Sequence, residues 1–95
     1  MNIELSKQQY KTFLTILYCG EWMLNSYKIK EDKIYKETQE LEQYFYSLAK
    51  ENGLEKWVDR NEKTGRYTPS LKMEEDVGVF IEKYNKRQKD LMAGF

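Results

Sequence analysis

The sequence predicts a mainly α-helical domain, with α+β as the alternative class, of three principal helices and a small β-hairpin between helices two and three. Two segments repeat apolar side chains at helical spacing, a turn-rich stretch follows an Asn-Gly pair, and a third periodic segment follows the chain's one proline. A chain of 95 residues can bury one hydrophobic core, so we expect residues 1–95 to form a single domain.

The first helix is predicted to begin at Ser6. Ser6 and Gln9 have the spacing of a capping box, in which the serine hydroxyl accepts from the Gln9 backbone N–H and the Gln9 side chain reaches back. The second half of this helix is apolar on nearly every side, which indicates either a central position or a covering partner. Its core face is predicted to be Tyr10, Phe13, Leu14, Leu17 and Leu24.

A second helix is predicted after a polar connection, with Asp32 as its N-cap and Asn52-Gly53 as its C-terminal cap. Its apolar residues recur every three or four positions, and we expect Leu41 and Phe45 to be buried. The complete predicted stripe is Ile34, Thr38, Leu41, Phe45 and Leu48.

A hairpin and a third helix complete the predicted fold. Residues 59–67 have the composition of two short extended arms around a turn, with Gly65 available for a positive φ. Pro69 or Ser70 then opens a helix, and the periodicity leaves open whether this helix ends at Asn85 or continues beyond it. Its predicted core face is Met73, Val77, Phe80, Ile81 and Tyr84.

Composition excludes several classes of function. The 16 basic and 16 acidic residues cancel, and a chain without net positive charge is a poor ligand for nucleic acid or an anionic membrane. With no histidine and one cysteine, the chain cannot form an intramolecular disulfide or a Cys/His zinc site. No segment approaches the ~20 apolar residues of a membrane span, which predicts a cytoplasmic protein. We predict no enzymatic activity and no cofactor.

Glu21 is the most informative polar residue, because it projects close to the centre of the apolar face of the first helix. An unpartnered carboxylate there would be costly, and Tyr18, Asn25 and Lys28 lie along the same flank. The resulting polar seam is either a site for a ligand or partner, with Tyr18 and Asn25 as hydrogen-bonding groups, or a structural salt bridge to another helix, or a solvent-exposed edge.

Trp22 lies with Cys19 and Met23 on the opposite side of the same helix. A contiguous apolar patch of this kind is typical of an association surface. The alternative is burial under the hairpin and Trp57.

Tyrosines flank the apolar stripe of the second helix, with Tyr35 and Tyr46 on one side of it and Tyr44 nearby. Tyrosine combines a large contact area with a polar tip, which suits the rim of a protein interface. We therefore interpret Tyr35 and Tyr46 as candidate binding residues.

Two acidic groups, Glu31-Asp32 and Glu74-Glu75-Asp76, have the oxygen ligands that hard cations prefer. Adjacent acids at the start of a helix more commonly interact with the helix dipole, and we assign no metal-ligating residue to either group.

Two stretches carry a resemblance to other proteins: SKQQY through LYCGEWMLN in residues 6–25, and ELEQY through SLAK in residues 40–50. In these stretches the chain resembles small bacterial proteins of unknown function. The resemblance covers roughly half the chain and implies a compact cytosolic domain without an assigned activity.

The leading functional hypothesis is a small protein-binding or regulatory module that acts by protein–protein contact. Its partner would be a second copy of the chain or another protein. Abundant Lys, Glu, Tyr, Asn and Ile are typical of AT-rich bacterial or phage genomes, so the hypothesis includes inhibition of a host or defence protein. The alternative is a small-molecule or carboxylate-metal binding domain that uses the polar seam around Glu21.

Overall fold

The computed structural model describes residues 3–26 and 33–93. Over these residues the chain forms three α-helices and a two-stranded hairpin, which confirms the predicted mainly α class and the place of the hairpin between helices two and three. In chain order the elements are α1 (Lys7–Ser26), α2 (Lys33–Ser47), a 3-10 turn (Glu55–Trp57), β1 (Val58–Arg60), β2 (Tyr67–Pro69) and α3 (Leu71–Ala93). The strands pair antiparallel, with Asp59 opposite Thr68.

Serine caps begin α1 and α3. At α1, the Gln9 N–H donates to Ser6 Oγ at 3.1 Å and the Ser6 N–H donates to Gln9 Oε1 at 2.9 Å, so the predicted capping box is present. At α3, the Met73 N–H donates to Ser70 Oγ at 3.3 Å. The third helix then continues through Asn85 to its last turn. The predicted N-cap of α2, Asp32, lies outside the described residues.

Glycines with positive φ close the two turns that follow α2. Gly53 has a φ of 77°, and the Leu54 N–H donates to the Ala49 carbonyl at 2.8 Å while the Gly53 N–H donates to the Lys50 carbonyl at 3.2 Å. These two bonds have the pattern of a Schellman motif, and Gly53 has the predicted left-handed conformation. The predicted end of the second helix is nevertheless wrong, because α2 ends at Ser47 and Gly53 closes a separate turn. Gly65, with a φ of 72°, occupies the predicted position in the hairpin turn.

One hydrophobic core joins the three helices and the 3-10 turn. The predicted core faces of α1 and of the first half of α3 are confirmed, since Leu14, Met73 and Val77 are fully buried. The prediction is wrong for Phe80 and Tyr84, which are each 55% exposed because α3 extends past the edge of the core. The core consists of Tyr10, Leu14, Tyr46, Ala49, Leu54, Trp57, Met73 and Val77.

The buried side of α2 differs from the predicted one. Ile34 is 50% exposed and Leu41 is 46% exposed, so the predicted burial of Leu41 is wrong. Each buried residue lies one position after a predicted one, so the buried face is rotated about the helix axis by about 100° from the predicted face. Phe45 and Leu48 are half-buried at the boundary. The residues that face the interior are Tyr35, Glu42, Tyr46 and Ala49.

No helix in the described ranges is both long enough and apolar enough to pass through a membrane.

Candidate functional site

A polar cleft of about 260 Å³ lies between α1, α2 and the hairpin. Helical spacing on α1 and α2 brings two carboxylates and two phenols to it, and β2 with the preceding turn closes its third side. Its lining residues are Tyr18, Glu21, Gln39, Glu42, Gln43, Tyr46, Arg66, Tyr67, Thr68 and Pro69.

Gln43 fastens the hairpin to α2 beside this cleft. Its Nε2 donates to the Tyr67 carbonyl at 2.7 Å, and its Oε1 accepts from the Tyr67 N–H at 2.8 Å. A side-chain amide therefore bonds to a strand backbone in the way that another strand would. The pair of bonds fixes the distance between α2 and β2, and with it the width of the cleft.

Glu42 and Tyr46 form the buried end of the cleft. The Tyr46 hydroxyl donates to Glu42 Oε2 at 2.7 Å, and both residues are buried. Burial raises the pKa of the Glu42 carboxyl to about 7, although the hydrogen bond from Tyr46 opposes the shift by favouring the ionised form. Burial and the adjacent carboxylate also raise the pKa of the Tyr46 phenol, which therefore stays protonated and acts as a donor.

Glu21 enters the same cleft from α1. Burial raises the pKa of its carboxyl, and a hydrogen bond with Tyr35 lowers it. Gln39 Nε2 donates to the Tyr35 hydroxyl oxygen at 3.2 Å, so the phenol connects the carboxylate to α2. Among the described residues, neither Glu21 nor Glu42 forms an ion pair with a lysine or arginine. Within the described ranges, the partner of the Glu21 carboxylate is therefore the Tyr35 phenol.

The structure brings four of the predicted site residues to this region: Tyr18, Glu21, Tyr35 and Tyr46. The sequence did not predict that Tyr35 and Tyr46 hydrogen-bond to carboxylates. Tyr18 and Glu21 line the cleft, as the polar seam predicted. Tyr46 hydrogen-bonds to Glu42 and Tyr35 to Glu21, but both tyrosines are buried, so their interpretation as an interface rim is wrong. Their phenols face the carboxylates instead of solvent. The Asn25 side chain and Lys28 lie outside the described part of the chain.

Sequence reasoning missed Glu42 and Gln39. A signal for them exists, because Tyr35, Gln39, Glu42 and Tyr46 follow one another at intervals of four, three and four residues. This is the spacing of a single helix face, and two phenols on that face can supply donors to the acid between them. The neighbouring apolar stripe has almost the same spacing, and its hydrophobicity predicts that it, and not this polar face, is buried.

The described residues contain no group of three or more acidic or cysteine side chains arranged to hold a metal ion. Within the acidic group at the start of α3, Asp76 accepts a hydrogen bond from Trp57 Nε1 at 3.0 Å and pairs with Lys72 at 3.2 Å. The Trp57 bond is the main cause that lowers the Asp76 pKa. Asp76 therefore positions Trp57. Glu31 and Asp32 lie outside the described residues.

A second candidate site lies where α1 meets the second half of α3. The Trp22 and Tyr84 rings meet edge to face, with centroids 6.4 Å apart and planes at 80°. Trp22 is partly buried against Tyr84, and its neighbour Met23 is 51% exposed, so the hairpin does not cover this side of α1. Trp57 packs elsewhere, under the Lys11 ammonium, which lies 4.9 Å from its ring centroid.

Cys19, the third member of the predicted patch, is half-buried against the core. Burial raises the pKa of its thiol, which favours the neutral form. It packs against the core as a small apolar side chain of α1.

We define the α1/α3 surface as the Trp22–Tyr84 contact together with four exposed apolar side chains of the same two helices. It continues from α1 onto the part of α3 that lies beyond the core, and it adjoins a groove of about 300 Å³ that Thr12, Thr15 and Phe80 help to line. Its residues are Ile16, Trp22, Met23, Phe80, Tyr84 and Leu91.

Comparison with known proteins adds no relative to this description. No family model matches the chain, and no match was found among curated proteins or among solved structures. The resemblance to small bacterial proteins therefore stays a prediction.

Proposed function

We propose that the chain is a small protein-binding module and that the α1/α3 surface is its contact surface. One observation carries the proposal: an aromatic pair, Trp22 and Tyr84, is flanked by large apolar side chains that remain about half exposed. Contact hot spots are rich in Trp and Tyr, because these side chains provide large contact areas with few rotatable bonds.

The shape of α3 supports the same proposal. Every residue from 82 to 91 is exposed, although this segment continues the helix for almost three turns past the core. Apart from the Tyr84 contact with Trp22, this segment has little tertiary packing, and a short helical segment of that kind is marginally stable in water. A partner that packs on it would supply the missing stabilisation.

The polar cleft supports a ligand site less well. Its carboxylates receive hydrogen bonds from phenols of the same chain, and no buried side-chain nitrogen or oxygen in the described ranges lacks a partner. A site prepared for a ligand commonly leaves donors or acceptors for that ligand to satisfy. The cleft is therefore well suited to set the angle between α1 and α2.

The experiment compares two exposed leucines on α3. Leu91 belongs to the α1/α3 surface and is 52% exposed, whereas Leu71 is 69% exposed and lies at the opposite end of the helix. Leu91→Glu and Leu71→Glu make the same chemical change, so both variants should remain folded by circular dichroism. The assay is affinity capture with a photo-crosslinker at position 23, from cells that naturally make the chain, followed by mass spectrometry.

We expect the wild-type chain and Leu71→Glu to form the same crosslinked species and Leu91→Glu to lose it. The proposal requires a crosslinked protein partner, whether another protein or a second copy. If the wild-type chain forms none, or if the two leucine variants behave alike, the proposal is wrong.

A further inference from the structure

We infer that the partner of the α1/α3 surface is a second copy of this chain, joined by antiparallel pairing of the second halves of the two α3 helices. This inference rests on the proposed function and specifies the partner for the same surface.

The exposed part of α3 carries a coiled-coil stripe. Val77, Phe80, Tyr84, Arg87 and Leu91 follow one another at intervals of three, four, three and four residues. This spacing keeps one side of a helix facing a neighbouring helix. Val77 is buried in its own core, which leaves the later members of the stripe exposed.

The stripe distinguishes an antiparallel from a parallel partner through Arg87. A parallel pair in register would place Arg87 against the partner's Arg87, and like charges in an interface oppose association. In the antiparallel register, Phe80 faces the partner's Leu91, and Arg87 faces the partner's Tyr84. A guanidinium against a phenol is a favourable cation–π pair.

The same antiparallel register also pairs opposite charges. Lys83 and Asp90 lie on one flank of the stripe, seven residues apart. In an antiparallel pair, the same flank of each helix faces the other helix, so Lys83 lies opposite the partner's Asp90. The two-fold axis generates a second, identical ion pair. Lys83 already lies along the stripe, since its ammonium is 5.9 Å from the Phe80 ring centroid. One register therefore satisfies both the apolar and the charged positions.

Charge exchange at these two positions tests the partner and the register together. Lys83→Glu should set like charges against each other in a homodimer, and so should Asp90→Lys. When the two variants are mixed, each heterodimer regains two opposite-charge pairs. Sedimentation equilibrium at low salt measures the dissociation constant of each sample.

The matched controls are Glu82→Lys and Lys89→Glu, on the side of α3 opposite the stripe. We expect a wild-type dimer, a dissociation constant at least about tenfold higher for either Lys83→Glu or Asp90→Lys alone, and recovery in their mixture. The controls should dimerise like the wild-type chain.

Two results would overturn the inference. The first is a wild-type chain that stays monomeric up to millimolar concentration. The second is a mixture of Lys83→Glu and Asp90→Lys that associates no better than each variant alone. If the crosslinking experiment nevertheless captures a different protein in a manner that depends on Leu91, the proposed function stands and only the second copy is wrong.

Discussion

The Tyr46 phenol donates a 2.7 Å hydrogen bond to the Glu42 carboxylate one helical turn before it, and both side chains are buried between α1, α2 and the hairpin. This contact makes an acid tolerable on the inner side of α2. Burial of this acid makes the stability of the fold sensitive to pH, because no described lysine or arginine forms an ion pair with it.

The first prediction concerns the pH dependence of stability. Burial raises the Glu42 pKa from 4.5 to about 7 in the folded chain. Between these values the folded chain holds a proton that the unfolded chain releases, so unfolding becomes easier as pH rises from 4.5 to above 7. The full difference corresponds to roughly 3 kcal/mol.

Glu42→Gln removes this titration and keeps an oxygen acceptor for Tyr46. Urea unfolding at pH 5 and pH 8 should therefore show a smaller loss of stability for Glu42→Gln than for the wild-type chain. Other titrating groups are common to both proteins and largely cancel in the comparison. Equal losses in the two proteins would show that Glu42 titrates normally in the fold.

The second prediction concerns the donor. Tyr46→Phe removes the hydrogen bond that favours ionised Glu42, and it should lower the free energy of unfolding by about 1–3 kcal/mol at pH 8. At pH 5 the carboxyl is protonated, so the loss should be smaller. Tyr44→Phe, at an exposed position of the same helix, is the control and should have little effect at either pH. A pH-independent loss for Tyr46→Phe would contradict this interpretation.

The third prediction compares two leucines of similar chemistry. Leu14 is fully buried, so Leu14→Ala should lower the free energy of unfolding by about 2–5 kcal/mol through lost apolar burial and a cavity. Leu41 is 46% exposed, and Leu41→Ala should cost less than about 1 kcal/mol. Urea denaturation of both variants measures the difference. A large loss for Leu41→Ala would support the apolar stripe that the sequence predicted for α2.

The fourth prediction compares two helix caps. The buried Ser70 hydroxyl accepts from the Met73 N–H and donates to the Lys56 carbonyl at 2.6 Å, so Ser70→Ala leaves two backbone groups without partners. We expect a loss of about 1–2 kcal/mol. Ser6→Ala removes an exposed cap and should cost about 0.5–1 kcal/mol, because water can replace the hydroxyl. Equal thermal unfolding midpoints for the two variants would contradict this ranking.

Much of the fold was predictable because its signals are local. The Ser6–Gln9 capping box and the turns at Gly53 and Gly65 each depend on residues within a few positions of one another. Backbone sterics and short-range hydrogen bonds act in the same way whatever lies on the other side of the molecule. The positions of the helices and of the hairpin follow from such signals.

The candidate sites were predictable only in part. The position of Glu21 on an apolar helix face identified the polar cleft, and the apolar residues beside it identified Trp22 as a surface candidate. The partners of both residues come from distant parts of the chain: Tyr35 for Glu21 and Tyr84 for Trp22. Spacing along one helix carries no information about which residue of another helix it meets.

The sequence by itself determined where the helices begin, where the chain turns, and that α2 is amphipathic. Tertiary structure decided which side of α2 faces the interior. Two stripes one residue apart compete for the interior, one led by Leu41 and the other by Glu42 and Tyr46. On local hydrophobicity the first is favoured. The Glu42–Tyr46 stripe is buried because Tyr46 packs in the core and donates a hydrogen bond to Glu42, while the Gln43 side chain bonds to the hairpin backbone. These contacts exist only after α1, α2 and β2 have assembled, so the sequence of a single helix does not predict them.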